Sequence, residues 1–159
     1  MKDVWPYETQ SRNYGYALLG LTVLFGFRVF AQLIQVWYPI SFLPPFHAWH
    51  SGTLPYWVLV LVQLLIFAGC IKIVVNLFNC TIKASVRKGN IYMYLGLIYF
   101  AIMCVRLVAG FTVAKEHVWF GAKLPTVFHL VLATFVMIYG HFHLIFGQRQ
   151  IVANERGSG

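Results

Sequence analysis

The sequence predicts an all-α, polytopic membrane protein built as a bundle of four transmembrane helices. Of its 159 residues, 60% are hydrophobic and only 10% are charged, whereas about a quarter of the residues in a soluble domain are charged. A soluble fold could not cover its surface with so little charge. The hydrophobic residues form four long runs without the alternation of barrel strands, which excludes a membrane β-barrel. We therefore expect a single transmembrane domain over residues 1–156.

Each apolar run is long enough to cross a bilayer, which takes about 20 helical residues. The first run is too long for a secretory signal and has no small-residue cleavage site after it, so we expect it to be the first span. The last three residues, Gly-Ser-Gly at 157–159, are typical of a cloning remnant and are left outside the domain. The predicted spans are 14–37, 54–78, 91–113 and 124–146.

Basic residues near the ends of the spans predict the orientation, because cytoplasmic loops are enriched in Lys and Arg. Seven of them lie on the side of the two termini, against two on the other side. We expect an inner (plasma) membrane protein with both termini cytoplasmic and with short outer interfacial segments at 38–53 and 114–123. The net charge of +8 then reflects topology, and no nucleic-acid partner is expected. The seven residues are Lys2, Arg12, Lys83, Arg87, Lys88, Arg149 and Arg156.

The two halves of the chain resemble each other, which predicts an internal 2+2 repeat. Arg28 and Arg106 each begin an Arg-x-x-Ala pattern late in the first and third spans. A His-x-Trp pattern followed by Leu-Pro occurs at 47–55 and, with the same spacing, at 117–125. Two such units would lie the same way up in the membrane, so we expect a two-fold axis along the membrane normal.

Polar residues inside the spans mark the candidate ligand site, because each costs a few kcal/mol or more to insert and is usually functional. Arg28 is followed by glutamines at i+4 and i+7, on the same helix face. No acidic residue lies within any span, so the arginines are expected to bind an anionic or carbonyl-bearing ligand. Snorkelling to outer-leaflet phosphates remains the alternative. The candidate ligand-binding residues are Arg28, Gln32, Gln63, Arg106, Trp49 and Trp119.

Histidines near the outer side form a second set of candidates. His47 and His50 are three residues apart, as neighbouring metal ligands often are, and His117 and His129 complete a candidate metal site. The same side chains can transfer protons, so the catalytic candidates are His47, His117 and His129. The alternative is that His47 and His117 are interfacial residues beside the tryptophans.

Other histidines and the cysteines are interpreted as structural. His141 and His143 lie near the predicted C-terminal end of the fourth span, where a cation is favourable. Haem is not expected, because the first three spans contain no histidine that could supply its second ligand. Cys70, Cys80 and Cys104 form no Cys-x-x-Cys pair, and the two within apolar runs are expected to pack in the core.

Three short features of the first half are shared with known membrane families. They are Arg28 in the first span, Leu43-Pro44-Pro45 with Trp49 in the outer connection, and Leu54-Pro55 at the start of the second span. In these features the chain resembles the DoxX-like four-helix membrane proteins and the membrane portion of vitamin K-dependent carboxylase relatives. The resemblance implies a redox or quinone-linked membrane role, or an accessory one, and it places no catalytic residue.

The sequence therefore predicts an integral membrane protein that binds a quinone-, isoprenoid- or lipid-like ligand in an outward-facing pocket of arginine and histidine. It would act as a redox component (an oxidoreductase) or a lipid-modifying one, with a quinone or a metal ion as the cofactor. The first alternative is a non-enzymatic accessory subunit of a larger membrane complex, and the second is a small channel or exporter. Whether the chain is an enzyme stays open. Expected partners are membrane lipids and either another membrane protein or a second copy.

Overall fold

Four long helices make up the computed structural model of the chain, which describes residues 4–38, 40–41, 55–112 and 123–157. Each helix is long and apolar enough to cross a membrane. The predicted all-helical architecture with four helices of spanning length is therefore confirmed. The helices are α1 (Val4–Trp37), α2 (Tyr56–Phe78), α3 (Val86–Phe111) and α4 (Lys123–Gly157).

Three helix ends differ from the predicted spans. Helix α1 begins at Val4 instead of residue 14, α3 begins at Val86 instead of residue 91, and α4 continues to Gly157 instead of ending at residue 146. The predicted bounds followed the apolar run, which marks the part of a helix suited to lipid. Polar turns extend the helices beyond it.

The helices run alternately up and down, so the bundle has two distinct ends. The terminal end contains the start of α1, the end of α4 and the connection 79–85 between α2 and α3. The far end contains the end of α1 and the start of α4. All sites below are placed relative to these two ends.

The helices pack in the order α2, α1, α4, α3. Helix α4 packs along most of α3, while α1 contacts both α2 and α4. Within the described residues, α2 and α3 make no close backbone contact. The two helices of each predicted repeat unit are thus packed together, whereas the two units meet through α1 and α4. The internal repeat itself stays a prediction.

Glycines allow the close approach of α3 and α4 near the terminal end. A Cβ atom at Gly147 would lie 2.6 Å from the backbone nitrogen of Val86, and one at Gly89 would lie 2.7 Å from that of Leu144. Contacts this short leave no room for a side chain. Small residues that bring two backbones together are typical of helix packing in membranes.

The distribution of polar and apolar residues is the reverse of that in a soluble protein. Arg28 and Arg106 are each only 4% exposed, whereas Trp57 is 71% exposed and Val105 is 69% exposed. In water, such an apolar surface would drive association. In lipid, it is the favoured arrangement, because polar groups must then find partners inside the bundle.

A buried arginine cluster as the candidate functional site

Helix α1 places a row of polar side chains inside the bundle. Arg28, Gln32 and Gln35 are all buried, as their spacing on one helix face predicts. Gln35 has a structural role, because its side-chain oxygen accepts a hydrogen bond from the Ile40 N–H at 2.7 Å and its Nε2 donates to the Ile40 carbonyl at 3.2 Å. It therefore fixes the chain as it leaves α1, and Arg28 and Gln32 remain as candidates for binding.

Gln32 pairs with Gln63 of α2 in the interior. The Gln63 Nε2 donates to the Gln32 Oε1 at 3.3 Å. Both side chains are buried, and the remaining Gln32 Nε2 and Gln63 Oε1 have no hydrogen-bond partner among the described residues. The amide pair therefore presents one open donor and one open acceptor, whichever way the two amides are turned.

Arg28 contributes a further open polar atom to this region. Its guanidinium carbon lies 5.4 Å from the centroid of the Phe128 ring on α4, a distance suited to a cation–π contact. Its Nε is buried and has no acceptor among the described residues. Since buried donors are nearly always hydrogen-bonded, this atom indicates an acceptor supplied from outside the described chain.

Helices α3 and α4 complete the cluster. The Tyr99 hydroxyl lies 2.6 Å from the His129 Nδ1, and Arg106 is buried on the same helix as Tyr99. Both arginines are close enough to Tyr99 and to His129 for electrostatic interaction. All four helices thus contribute to one polar group in the bundle. We call it the arginine cluster, and its members are Arg28, Gln32, Gln63, Tyr99, Arg106 and His129.

Several predicted site residues lie outside the part of the chain that the structure describes. They are His47, Trp49, His50, His117 and Trp119. The roles of these residues, as of His129, stay predictions. Among the described residues, no group of three or more His, Cys, Asp and Glu side chains could hold a metal ion. Because three of the four predicted metal ligands are outside this range, the metal site is not tested.

The sequence interpretation missed two aromatic residues of the site. Tyr99, the partner of His129, precedes Arg106 by seven residues, which places both on one face of α3. That spacing was the available signal. Phe128, which lies under the Arg28 guanidinium, has no comparable signal in a chain with 18% aromatic residues.

The interpretation of His143 as a cation at a helix C-terminus is wrong. His143 is buried, and its Nδ1 accepts a hydrogen bond from the backbone N–H of Ser85 at 3.2 Å. Ser85 is the residue that precedes the first turn of α3. Helix α4 continues beyond His143 to Gly157, so the ring is far from a helix C-terminus. It instead joins α4 to the start of α3.

A groove of about 370 Å³ lies near the terminal end, remote from the arginine cluster. Its lining residues follow one face of the last turns of α4. One of them, Arg149, donates from Nη1 to the Gln10 Oε1 at 2.6 Å and is thus engaged in joining α4 to α1. The groove contains no buried unsatisfied group, so the arginine cluster remains the candidate site. The groove is lined by Ile145, Gln148, Arg149, Val152 and Ala153.

Comparisons with known proteins do not assign the chain to a family. No protein-family model, no curated protein and no solved structure matches it. The resemblance to DoxX-like proteins and to carboxylase relatives accordingly stays a prediction. The functional argument therefore depends on the geometry of the arginine cluster.

Proposed function

We propose that the chain is a multi-pass inner-membrane protein that binds the polar head group of an apolar molecule in the arginine cluster. Arg28 and Arg106 hold the head group of a quinone-, isoprenoid- or lipid-like ligand, and His129 serves in proton transfer. The protein then acts as a redox or lipid-modifying component of the membrane. Both termini are cytoplasmic.

The observation that carries this proposal is the open Nε of Arg28. A buried donor without an acceptor costs about 1–3 kcal/mol, and more when the group is charged. Arg28 is 4% exposed, and its Nε has no acceptor among the described residues. A ligand oxygen at this position would remove the cost, and the open amide groups of Gln32 and Gln63 would bind the same head group.

The cluster lies within the apolar part of the helices, below their far ends. Arg28 precedes Trp37, the last residue of α1, by nine residues, which is about 14 Å along a helix. Arg106 precedes the end of α3 at Phe111 by five residues, or about 8 Å. An apolar tail in the surrounding lipid and a head group in the cluster fit this depth.

Mass spectrometry of the molecules bound to the purified protein tests this proposal. We expect wild-type protein and the Lys72→Met variant to retain the same apolar molecule, because Lys72 is exposed and lies near the terminal end. Arg28→Met and Arg106→Met should retain at least about tenfold less, the effect of losing one charge-assisted hydrogen bond. Equal loss in all three variants would reject the proposal, because it would indicate general destabilisation.

The orientation has a separate test in a chain whose native cysteines are replaced. A single cysteine introduced within 45–53 should react with an impermeant thiol reagent added to intact cells. A cysteine replacing Lys83, which is exposed in the connection between α2 and α3, should react only after the cells are opened. The opposite pattern would place the arginine cluster in the inner leaflet.

The accessory-subunit alternative has one observation in its favour. In the most apolar part of α3 only 17% of the residues are buried, compared with 44% in α1. This leaves much of α3 available for lipid or for a partner helix. Co-purification of another membrane protein together with the absence of any bound apolar molecule would favour this alternative.

A further inference from the structure

We infer that the head group held by the arginine cluster is an anion, namely the phosphate of an isoprenoid or lipid ester, and not a neutral quinone. The inference depends on the proposed function, because it names the charge and the chemical class of the ligand bound there. It follows from a count of charges, from the donors that the cluster presents and from the chemistry of the guanidinium group.

The count of charges comes from the whole chain, which contains four acidic residues. Glu8 lies in the first turns of α1 and Glu155 near the end of α4, and Asp3 precedes α1 in the sequence, so by sequence position all three belong to the terminal end. Glu8 is 20 residues from Arg28 along α1, or about 30 Å. By sequence position, only Glu116 belongs to the far end. One carboxylate at most can thus serve two buried arginines, which leaves at least one positive charge uncompensated.

The other members of the cluster supply donors. The Tyr99 hydroxyl lies 2.6 Å from the His129 Nδ1, and with the phenol donating, the proton of the neutral imidazole is on Nε2. The ring then presents an N–H group, as do the Arg28 Nε and the open amide of the glutamine pair. A quinone carbonyl could accept from one of these donors, but it would leave the buried positive charge without a counter-charge.

The chemistry of the guanidinium group matches a phosphate. Arg28 and Arg106 come from α1 and α3, which are separated in the packing order by α4. Both interact electrostatically with Tyr99, so they belong to the same polar region of the bundle. The guanidinium fork of Arg28 matches phosphate oxygens in pairs, and a phosphate bound there would supply the missing counter-charge.

Binding of matched probes to protein purified in an uncharged detergent and stripped of lipid tests the inference. The probes are farnesyl phosphate, farnesol, decylubiquinone and inorganic phosphate, each titrated while the bound fraction is measured by native mass spectrometry. We expect farnesyl phosphate to bind at least about tenfold more tightly than farnesol or decylubiquinone, the value of one charge-assisted contact. Arg28→Met should remove this preference, and Lys72→Met should keep it.

The outcomes separate this inference from the proposed function. If farnesol or decylubiquinone binds as tightly as farnesyl phosphate and Arg28→Met weakens that binding, the ligand is neutral and only the anion inference is overturned. If no apolar probe binds and inorganic phosphate does not bind either, both fail. If inorganic phosphate binds as tightly as farnesyl phosphate, the anion chemistry holds and the source is free phosphate. Should Arg28→Met not fold, Arg28→Lys replaces it, and the preference for phosphate over alcohol must then persist.

Discussion

The two ends of the bundle both bury polar residues, but they do so in opposite ways. At the terminal end, the chain supplies its own partners: the Ser11 hydroxyl donates to the Leu77 carbonyl at 3.0 Å, and the buried His143 ring accepts at Nδ1 from the Ser85 N–H at 3.2 Å. Near the far end, Arg28 and the glutamine pair have buried polar atoms that find no hydrogen-bond partner among the described residues. Polar residues therefore hold helices together at one end and remain available at the other.

Among the described residues, the terminal end is also the better packed of the two. Aromatic rings surround His143, with the Tyr139 ring at 4.7 Å and the Phe142 ring at 5.6 Å between centroids. The larger cluster of buried apolar side chains includes Leu18, Val74, Phe142 and Phe146 and lies toward this end. One open atom remains here as well, the His143 Nε2, but it belongs to a neutral ring. We interpret the terminal end as a rigid base and the far end as the functional part.

The largest effect is expected where α3 and α4 meet at the terminal end. A Cβ atom at Gly147 would lie 2.6 Å from a backbone nitrogen of α3, whereas one at Gly20 would have no neighbour within 4 Å. Gly147→Ala should therefore lower the free energy of unfolding by about 3 kcal/mol, the upper range for an overpacked core. Gly20→Ala should be neutral or stabilising by up to about 1 kcal/mol. Thermal denaturation in detergent measures both, and equal effects would contradict the tight α3–α4 contact.

The next effect concerns the arginine cluster and has the opposite sign. In lipid-free protein, Arg28→Met should raise the free energy of unfolding by about 1–2 kcal/mol, because it removes a buried charge and an open donor while keeping most of the apolar stem. Arg12→Met is the control. Arg12 is exposed, and this substitution removes only its pairing with Glu8 at 3.8 Å, so the free energy of unfolding should change by no more than about 0.5 kcal/mol. A clear loss of stability in Arg28→Met would show that the chain itself satisfies this arginine.

The smallest effect is expected at a satisfied polar group of the terminal end. Ser11→Ala removes the donor to the Leu77 carbonyl, and it should lower the free energy of unfolding by about 1 kcal/mol, the value of an ordinary hydrogen bond. Ligand retention should not change, because Ser11 is more than four helical turns from Arg28 on α1. A loss of retention without a loss of stability would break the distinction between the two ends.

The sequence was informative about which residues face inward and much less so about their partners. Arg28 and the glutamines after it follow one face of an otherwise apolar helix. The free-energy cost of exposing polar groups to lipid requires this face to point into the bundle. The pairing of Gln32 with Gln63 and the contact of Arg28 with Phe128 depend on the rotation and crossing of separate helices. Hydropathy contains no information about either. For the same reason His143 was misjudged, because its partner Ser85 belongs to another helix.

An experimental structure of the protein in lipid nanodiscs made from its native membrane would test the central claim most directly. The measured quantity is the distance from the Arg28 Nε to its nearest acceptor. We predict an oxygen of a bound head group within about 3 Å, lying between Arg28 and Arg106 and continued by an apolar tail toward the lipid. An acceptor supplied by the chain itself, with no density between the two arginines, would contradict the claim and favour the accessory-subunit alternative.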